Sequence, residues 1–378
     1  MSPAAARQAV RYGDNPVADP STLAQALETA RRGERLNPDE ALALWQGADL
    51  LTLGHLAHAA RLRHNPDPVV TYVVDRNINT TNACLSGCRF CAFFRPPGHP
   101  EARDLPLDEL LAKVQETMDL GGTQILIQGG LHPAIGIRAT CETYRIIKEH
   151  FPSLHIHGLS PPEVVHMAAL DGMSLGQALD ALMAAGLDSI PGGGAEILVD
   201  RVRALIAPGK CNTDQWLQVM ALAHARGLMT TATMMFGSLE TPAERIEHFE
   251  RLRRLQDESL IRGRGHFTAF IPWSFQPANT ALDHLTTATG VEYLRVLALA
   301  RLYLDNFLHL QASWVTQGAK IAQLALAFGA DDLGSTMIEE NVVAAAGVSF
   351  RLPRAELVRL AEAMGYQARQ RDMFYRLL

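Results

Sequence analysis

Residues 69–94 read VVTYVVDRNINTTNACLSGCRFCAFF, a β-branched and aromatic run that is followed closely by three cysteines. The first part has the composition of a buried strand, and the part around the cysteines has the polar, glycine-containing composition of a loop. In an α/β barrel, chemistry gathers in the loops where the strands end. The stretch therefore predicts both the class of fold and the place of the reaction site.

Beyond this stretch, short apolar runs alternate with helical segments of about 10–20 residues, a pattern typical of parallel strands joined by crossover helices. Eight β/α units predict an α/β fold of the TIM type, a (β/α)8 barrel that is closed or nearly closed. The expected strands are residues 69–79, 124–128, 155–159, 188–190, 230–235, 268–272, 310–313 and, as the weakest, 330–333.

Helical signals precede the predicted barrel. Asn37 is suited to cap a helix that begins with Pro38, and a second apolar-periodic stretch covers residues 50–62. We expect three regions, of which the first is an N-terminal helical cap and the last is a helical extension packed on the barrel. Their bounds are 1–66 for the N-terminal helical extension, 67–335 for the barrel and 336–378 for the C-terminal extension.

Composition excludes several classes of partner. The 378 residues carry a formal net charge of −6, which gives no electrostatic reason to expect nucleic acid. Met1 to Asn15 lack a secretory signal pattern, and no apolar run reaches the roughly 18 residues needed to cross a bilayer. We therefore expect a cytoplasmic enzyme that acts on a small molecule, without a membrane partner.

The cysteines carry the most specific signal. Cys84, Cys88 and Cys91 form a C-x3-C-x2-C pattern, and thiolates are the ligands of iron–sulfur clusters. Three ligands on a [4Fe-4S] cluster leave one iron open, and that iron can chelate S-adenosylmethionine. Electron transfer then yields a 5′-deoxyadenosyl radical. The alternative is a structural zinc site with His99 as fourth ligand, although no second cysteine pair accompanies the triplet.

Two further strand ends are candidate contacts of the cosubstrate. Gln128, Gly129 and Gly130 would expose backbone to its ammonium group, although a tight turn explains the glycines equally well. Glu196 and Arg201 are the charged types that suit ribose hydroxyls and a carboxylate. A helix that begins with an acidic residue is the competing explanation of this second segment.

Other candidates are weaker. Met235 ends a predicted apolar strand and would edge a slot for an adenine ring, although methionine at a strand end is more often core filler. Histidine and glutamate side chains near the same face could transfer protons, but a lone histidine is more often a structural group. The candidates for proton transfer are His99, His132, His155, His157 and Glu163. The candidates for clasping an aromatic substrate are Trp273, Phe275 and Gln276, for which packing at the barrel rim is an equally good explanation.

Five segments together resemble the cyclic dehypoxanthinyl futalosine synthase family of the radical S-adenosylmethionine superfamily. They are TYVVDRNIN (71–79), FFRPPGHPEA (93–102), GGTQILIQGGLHP (121–133), SIPGGGAEIL (189–198) and TATMMFG (231–237). The resemblance implies a radical oxidoreductase that cyclises dehypoxanthine futalosine in menaquinone biosynthesis by the futalosine route. Hydrogen is removed from C4′ of the substrate's ribose, and the carbon radical adds to the benzoate ring.

The resemblance also implies roles for single residues and partners. The three cysteines match the cluster ligands, and Phe90 matches an aromatic residue beside the adenine. Gly129, Gly130, Glu196 and Arg201 match positions that hold the cosubstrate in related barrels. A low-potential donor such as flavodoxin or ferredoxin would supply the electron. Aminofutalosine synthase and the deazaflavin-chromophore synthases share a similar triplet and barrel, and a zinc-stabilised binding scaffold is the alternative outside enzymes.

Overall fold

A computed structural model describes residues 18–378, so the N-terminal stretch in which no secretory signal was recognised, Met1 to Asn15, lies outside the described residues. The central feature is a curled sheet of seven parallel strands in chain order. These strands are β2 (Asp75–Asn79), β3 (Gln124–Gln128), β4 (His155–Gly158), β5 (Ser189–Ile190), β6 (Met229–Phe236), β7 (Phe267–Ser274) and β8 (His309–Leu310).

The first predicted strand is two strands. Its first half, β1 (Val69–Val73), belongs to a second parallel sheet with β9 (Asp332–Ser335) and β10 (Gln367–Gln370). The division falls at Val74 because the two halves pair with different neighbours, β1 with β9 and β10, and β2 with β3.

The two sheets together form the barrel wall. β1 runs directly into β2, and a single parallel bridge between Gln311 and Asp332 connects the end of β8 to β9. The predicted TIM-type α/β fold is therefore confirmed. The barrel closes through β9, which is bridged to the end of β8 and pairs with β1, and not through direct pairing of β8 with β2. The weakest predicted strand, 330–333, is the one that becomes β9.

Helices alternate with the strands, as the pattern predicts. No helix within residues 18–378 is long and apolar enough to cross a membrane. The helices are α1 (Pro20–Arg32), α2 (Pro38–Gly47), α3 (Leu50–His64), α4 (Leu107–Asp119), α5 (Ile137–His150), α6 (Pro161–Leu170), α7 (Leu175–Ala184), α8 (Asp200–Ile206), α9 (Thr213–Ala225), α10 (Pro242–Arg262), α11 (Gly290–Tyr303), α12 (Trp314–Ala325), α13 (Val342–Ala345) and α14 (Arg354–Glu362).

The N-terminal helices pack on the outside of the barrel. The Asn37 side chain accepts from the Glu40 amide at 2.9 Å, and the Glu40 carboxylate accepts from the Asn37 amide at 2.9 Å. The expected helix start is therefore present. α2 lies against α10, and α3 lies against α11. Arg253 fixes this contact by donating to the Leu36 carbonyl at 2.8 Å. A separate N-terminal unit over residues 1–66 stays a prediction.

The C-terminal segment, 336–378, contains the expected helices α13 and α14 but also the strand β10. The sequence did not reveal β10 because QARQ has no apolar run, and in the barrel its residues are only half-buried or exposed. Beyond β10, residues 371–375 close the end of the barrel at which the strands begin; we call them the barrel floor. Tyr375 of the floor stacks on His309, the first residue of β8, with ring centroids 3.6 Å apart.

Strand β3 shows how the sequence divides inside from outside. Ile125 and Ile127 are buried against the helices, whereas Gln124, Leu126 and Gln128 line the lumen. Side chains alternate between the two faces of a strand, so a Q-I-L-I-Q run gives an apolar outer face and a mostly polar inner face. A polar lumen can hold a polar ligand.

Candidate active site

The cysteine loop follows β2 and lies at the end of the barrel opposite the floor. Cys84 and Cys88 are buried and Cys91 is half-buried, and all three are free thiols. Ser86 Oγ lies 2.9 Å from Cys84 Sγ and 3.2 Å from Cys88 Sγ. The Leu131 amide donates to Cys84 Sγ at 3.1 Å, which ties the loop to the turn that follows β3.

Three thiolates without a fourth ligand among the described residues fit an iron–sulfur cluster with one open iron better than a structural zinc site, which is closed by four ligands. A tetrahedral zinc ion with Zn–S bonds of about 2.3 Å needs its sulfurs within about 4 Å of one another. Across residues 18–378, no three His, Cys, Asp or Glu side chains converge so as to hold one ion. A cluster with several irons takes its ligands over a wider perimeter. His99, the predicted fourth zinc ligand, is exposed and accepts from the Glu101 amide at 3.1 Å.

Burial and one nearby cation act in opposite directions on the thiols of the cysteine loop. Burial raises the pKa of the Cys88 thiol to about 11 and also raises the pKa of Cys91. The nearby Lys210 ammonium acts in the opposite direction on both thiols, since it stabilises a thiolate. Burial alone would lower the pKa of Lys210, but the charges of Cys88 and Glu196 outweigh burial and raise it. Lys210 is therefore a cation beside the cluster position.

Glu196 joins the cysteine loop to the barrel lumen. Its side chain is 4% exposed, and Oε1 accepts from Lys210 Nζ at 2.8 Å. Arg203 Nη1 lies 3.7 Å from Oε2, and Oε2 is buried without a hydrogen-bond partner within residues 18–378. Lys210 also lies over the ring of Phe90, 5.1 Å from its centroid. A buried carboxylate oxygen without a donor is suited to accept from a ligand hydroxyl.

The structure places Arg201 on the surface of the barrel, and its predicted contact with the cosubstrate stays a prediction. Its guanidinium pairs with Glu244 at 2.6 Å on the surface, and its side chain is 52% exposed. Arg203, two residues further along α8, points inward instead and is 4% exposed. Each residue turns a helix by about 100°, so positions two apart face in nearly opposite directions. Sequence reasoning missed Arg203 and Lys210. Arg203 lies on α8, and Lys210 lies in the loop after α8, 14 residues beyond Glu196.

The glycine pair is packed against the cysteine loop. A Cβ on Gly130 would lie 2.2 Å from the Ala83 carbonyl oxygen and 2.8 Å from Cys84 Cβ, and one on Gly129 would lie 2.5 Å from Thr80 Oγ1. Neither glycine is among the residues that line the lumen, whereas Gln128 is. Close backbone approach is thus the role that the contacts show, and a contact with the cosubstrate stays a prediction.

We expect Gly130→Ala to disturb cluster binding. The added methyl group would push the cysteine loop away from β3, because its nearest neighbour is backbone, at a cost of about 1–3 kcal/mol. Anaerobically reconstituted variant should hold clearly less iron and sulfide per chain than the wild type. Gly87→Asn is the matched control, since Gly87 lies in the same loop at φ +58° with nothing within 4 Å. Full iron loading of Gly130→Ala would contradict the prediction.

The lumen holds a cavity of about 290 Å³ that extends from Glu196 to the barrel floor. In the part of the chain that the structure describes, four buried polar atoms without a hydrogen-bond partner belong to residues that line it, namely Asn77 Oδ1, Gln124 Oε1, Glu196 Oε2 and Tyr375 Oη. Trp273 lines the cavity as predicted for an aromatic clasp, but Phe275 and Gln276 do not. Unpartnered polar atoms beside an aromatic wall suit a ligand that carries both hydroxyl groups and an aromatic ring.

Of the candidates for proton transfer, only His157 reaches the cavity. Glu163 caps α6, where it accepts from Ser160, and its other oxygen accepts from the Gly129 amide at 2.8 Å. Burial raises the pKa of Glu163. Because its oxygens hold loop backbone and it does not line the cavity, we read Glu163 as a residue that fixes the turn after β3. His99 is exposed on the cysteine-loop side.

Met235 also supports the site without lining it. Its side chain is fully buried in the core, and its amide donates to the Glu196 carbonyl at 3.0 Å. Glu196 has φ +42°, a left-handed conformation that is uncommon outside glycine. The bond from Met235 helps to hold that conformation, so Met235 positions Glu196. The predicted contact between Met235 and adenine stays a prediction.

A barrel of parallel strands with three clustered thiols on the loop after its first inner strand defines the radical S-adenosylmethionine class of enzymes. Two family models agree, since residues 78–252 match the Radical SAM superfamily and residues 264–378 match the CofH/MqnC C-terminal region. Methylornithine synthase, a solved structure with 17% identity, shares the fold at a TM-score of 0.68 over 91% of this chain and 97% of its own.

Relatives narrow the class. The cyclic dehypoxanthine futalosine synthase of Streptomyces coelicolor is 45% identical over 93% of this chain and 88% of its own length. That of Halalkalibacterium halodurans is 42% identical over 93% of this chain and 94% of its own. The aminodeoxyfutalosine synthase of Thermus thermophilus is 39% identical over 95% and 96%. The chain belongs to the cyclic dehypoxanthine futalosine synthase family.

Proposed function

We propose that this chain cyclises dehypoxanthine futalosine to cyclic dehypoxanthine futalosine, a step of menaquinone biosynthesis by the futalosine route. The observation that carries the proposal is the position of Glu196. It lines the cavity and also pairs with Lys210 beside the cysteine loop, so a radical generated at the loop would reach a ligand in the lumen. The family relationship supplies the identity of that ligand.

The residues suited to hold the cofactors lie on one side of the cavity. Cys84, Cys88 and Cys91 would hold three irons of a [4Fe-4S] cluster. Glu196 and Phe90 would hold S-adenosylmethionine, the first through its free Oε2. When bound, the cluster and S-adenosylmethionine supply one electron and a 5′-deoxyadenosyl radical that removes a ribose hydrogen.

The chain's own share is placement and exclusion of water. Asn77 Oδ1 and Gln124 Oε1 are buried acceptors that receive no donor from the described residues, which suits the hydroxyl groups of a ribose. Trp273 offers an aromatic surface to the benzoate ring. The barrel floor closes the lumen from below, so the reactive carbon would meet the ring in a dry, confined space.

The electron has to come from outside the chain. We expect a low-potential donor such as flavodoxin or ferredoxin, and this expectation stays a prediction.

Anaerobic turnover tests the proposed function. Reconstituted, reduced protein is incubated with dehypoxanthine futalosine and S-adenosylmethionine, and the product is expected to be lighter than the substrate by two hydrogens. With substrate deuterated at C4′, the label should appear in 5′-deoxyadenosine. If the label stays in the substrate while another compound is turned over, the assigned reaction is wrong.

A further inference from the structure

Two histidines and a serine form a row on the inner wall of the barrel. His157 Nδ1 lies 2.6 Å from Ser189 Oγ, and Ser189 Oγ lies 2.6 Å from His155 Nε2. Ser189 is fully buried, His157 is 5% exposed, and His155 is half-buried. The row is continuous at hydrogen-bond distance, so a proton can cross it without the movement of any backbone atom.

The row runs from the cavity to the floor. Asn77, Leu126 and His157 are register partners on β2, β3 and β4, and all three line the cavity. His155 lies two positions earlier on β4, on the same face of the strand and at its first residue. There the edge of its ring contacts Phe374 of the floor, at 5.2 Å between centroids.

The hydrogen bonds of the row leave one ring nitrogen of His157 free to act as a base at the cavity end. Burial lowers the pKa of His155 to about 4 and the pKa of His157 well below its ordinary value, so both rings are neutral near pH 7. Ser189 has one proton to donate and accepts one. In one of the two arrangements, His157 Nδ1–H donates to Ser189, and Ser189 donates to His155. His157 Nε2, which has no hydrogen-bond partner among residues 18–378, then carries a lone pair.

We propose that His157 Nε2 is the base that accepts the proton lost by the substrate ring in the last step of cyclisation, and that Ser189 and His155 carry it to the barrel floor. This inference rests on the proposed function. The C–H bond at the newly substituted ring carbon breaks, and its electron pair stays in the ring. The resulting radical anion has one surplus electron, which a one-electron acceptor of the class of an oxidised iron–sulfur cluster would take up, so that the neutral aromatic ring is restored.

Charges around the row favour outward transfer. A proton on His157 is opposed by His155 and by Arg371 of the floor. A proton on His155 is favoured by Asp188 and Asp372 and opposed by Lys148. The His155 ring therefore has two carboxylates, Asp188 and Asp372, in its surroundings, and neither of them acts on the His157 ring. The row stabilises a positive charge better at the floor than beside the substrate.

His157→Gln tests the proposal. The variant should still transfer deuterium from C4′ to 5′-deoxyadenosine, because His157 has no part in that step, but cyclic product should fall by about 100-fold, as for a lost general base. The ratio of 5′-deoxyadenosine to product should rise accordingly. Calorimetric binding of dehypoxanthine futalosine to the cofactor-free variant should be unchanged. His224→Gln is the matched control, since His224 is also buried between two hydroxyls, those of Ser259 and Thr230, but outside the lumen.

A second variant tests the row itself and does not alter the base. Ser189→Ala removes the bridging hydroxyl and should lower product relative to 5′-deoxyadenosine by less than His157→Gln does. The proposal is overturned if both variants keep the wild-type ratio, or if His157→Gln lowers label transfer and product equally, which would make His157 a positioning residue only. Absence of label transfer in the wild type would instead refute the proposed function.

Discussion

Replacement of Cys84 by serine is expected to abolish both the iron–sulfur cluster and the cleavage of S-adenosylmethionine. Two thiols would remain on a loop that needs three, and a serine oxygen is a poor ligand for iron in a sulfur site. Cys84 Sγ also accepts from the Leu131 amide, so the loop would lose a contact with the turn after β3. Iron and sulfide content after anaerobic reconstitution, together with 5′-deoxyadenosine formation, measures the effect.

Cys141→Ala is the control for this replacement. Cys141 is a buried thiol on α5, 3% exposed and remote from the cysteine loop in the chain. The control should keep its cluster and its cleavage activity. A Cys84→Ser protein that still holds four irons per chain would show that the cluster is not ligated by this triplet.

The largest loss of stability is expected from Asp332→Asn at the barrel floor. Asp332 Oδ1 lies 3.0 Å from Arg371 Nη2, and the Arg371 side chain is only 4% exposed. Asparagine keeps the shape of the side chain but leaves a buried guanidinium without its counter-charge. Removal of one partner from a buried ion pair typically costs about 3–5 kcal/mol. Chemical denaturation, followed by circular dichroism, measures the change in the free energy of unfolding.

Glu356→Gln is the matched control for the floor. Glu356 pairs with Arg359 at 2.6 Å, but the two side chains are 31% and 64% exposed. A surface pair of this kind contributes about 0–1 kcal/mol. Equal effects of the two substitutions would show that the pair at the floor is not sealed from water.

Much of the fold follows from local sequence. Each of the eight predicted strand positions holds a strand, and the start of α2 at Pro38 was readable from Asn37. The division of residues 69–79 was not readable, because it depends on which distant strands pair with each half. β10 was missed because its four residues carry no periodic apolar signal, and β1 alone gives them a partner.

Site residues could be predicted from the sequence where a short motif identifies them. They could not be predicted where their role depends on which way a side chain points in the folded protein. The cysteine triplet needs only its spacing to be recognised. The choice between Arg201 and Arg203 depends on how α8 is rotated against the barrel, which the sequence around it does not state. Lys210 enters the site through a loop after α8, and only folding brings it to Glu196. Gly129 and Gly130 were recognised as special, but the neighbours that exclude a side chain, Thr80 for Gly129 and Ala83 for Gly130, lie far away in the chain.

The pairing of β1 with β10 has a consequence for biosynthesis. Val69 finds its partner Gln367 only after residues 70–366 have been synthesised. Contacts between such distant segments form slowly, and an unpaired strand edge invites association with other chains. A nascent chain that stops before residue 367 would expose the unpaired edge of β1 and would leave the barrel open at its floor end. Exposed features of this kind are those by which quality-control proteases select their targets.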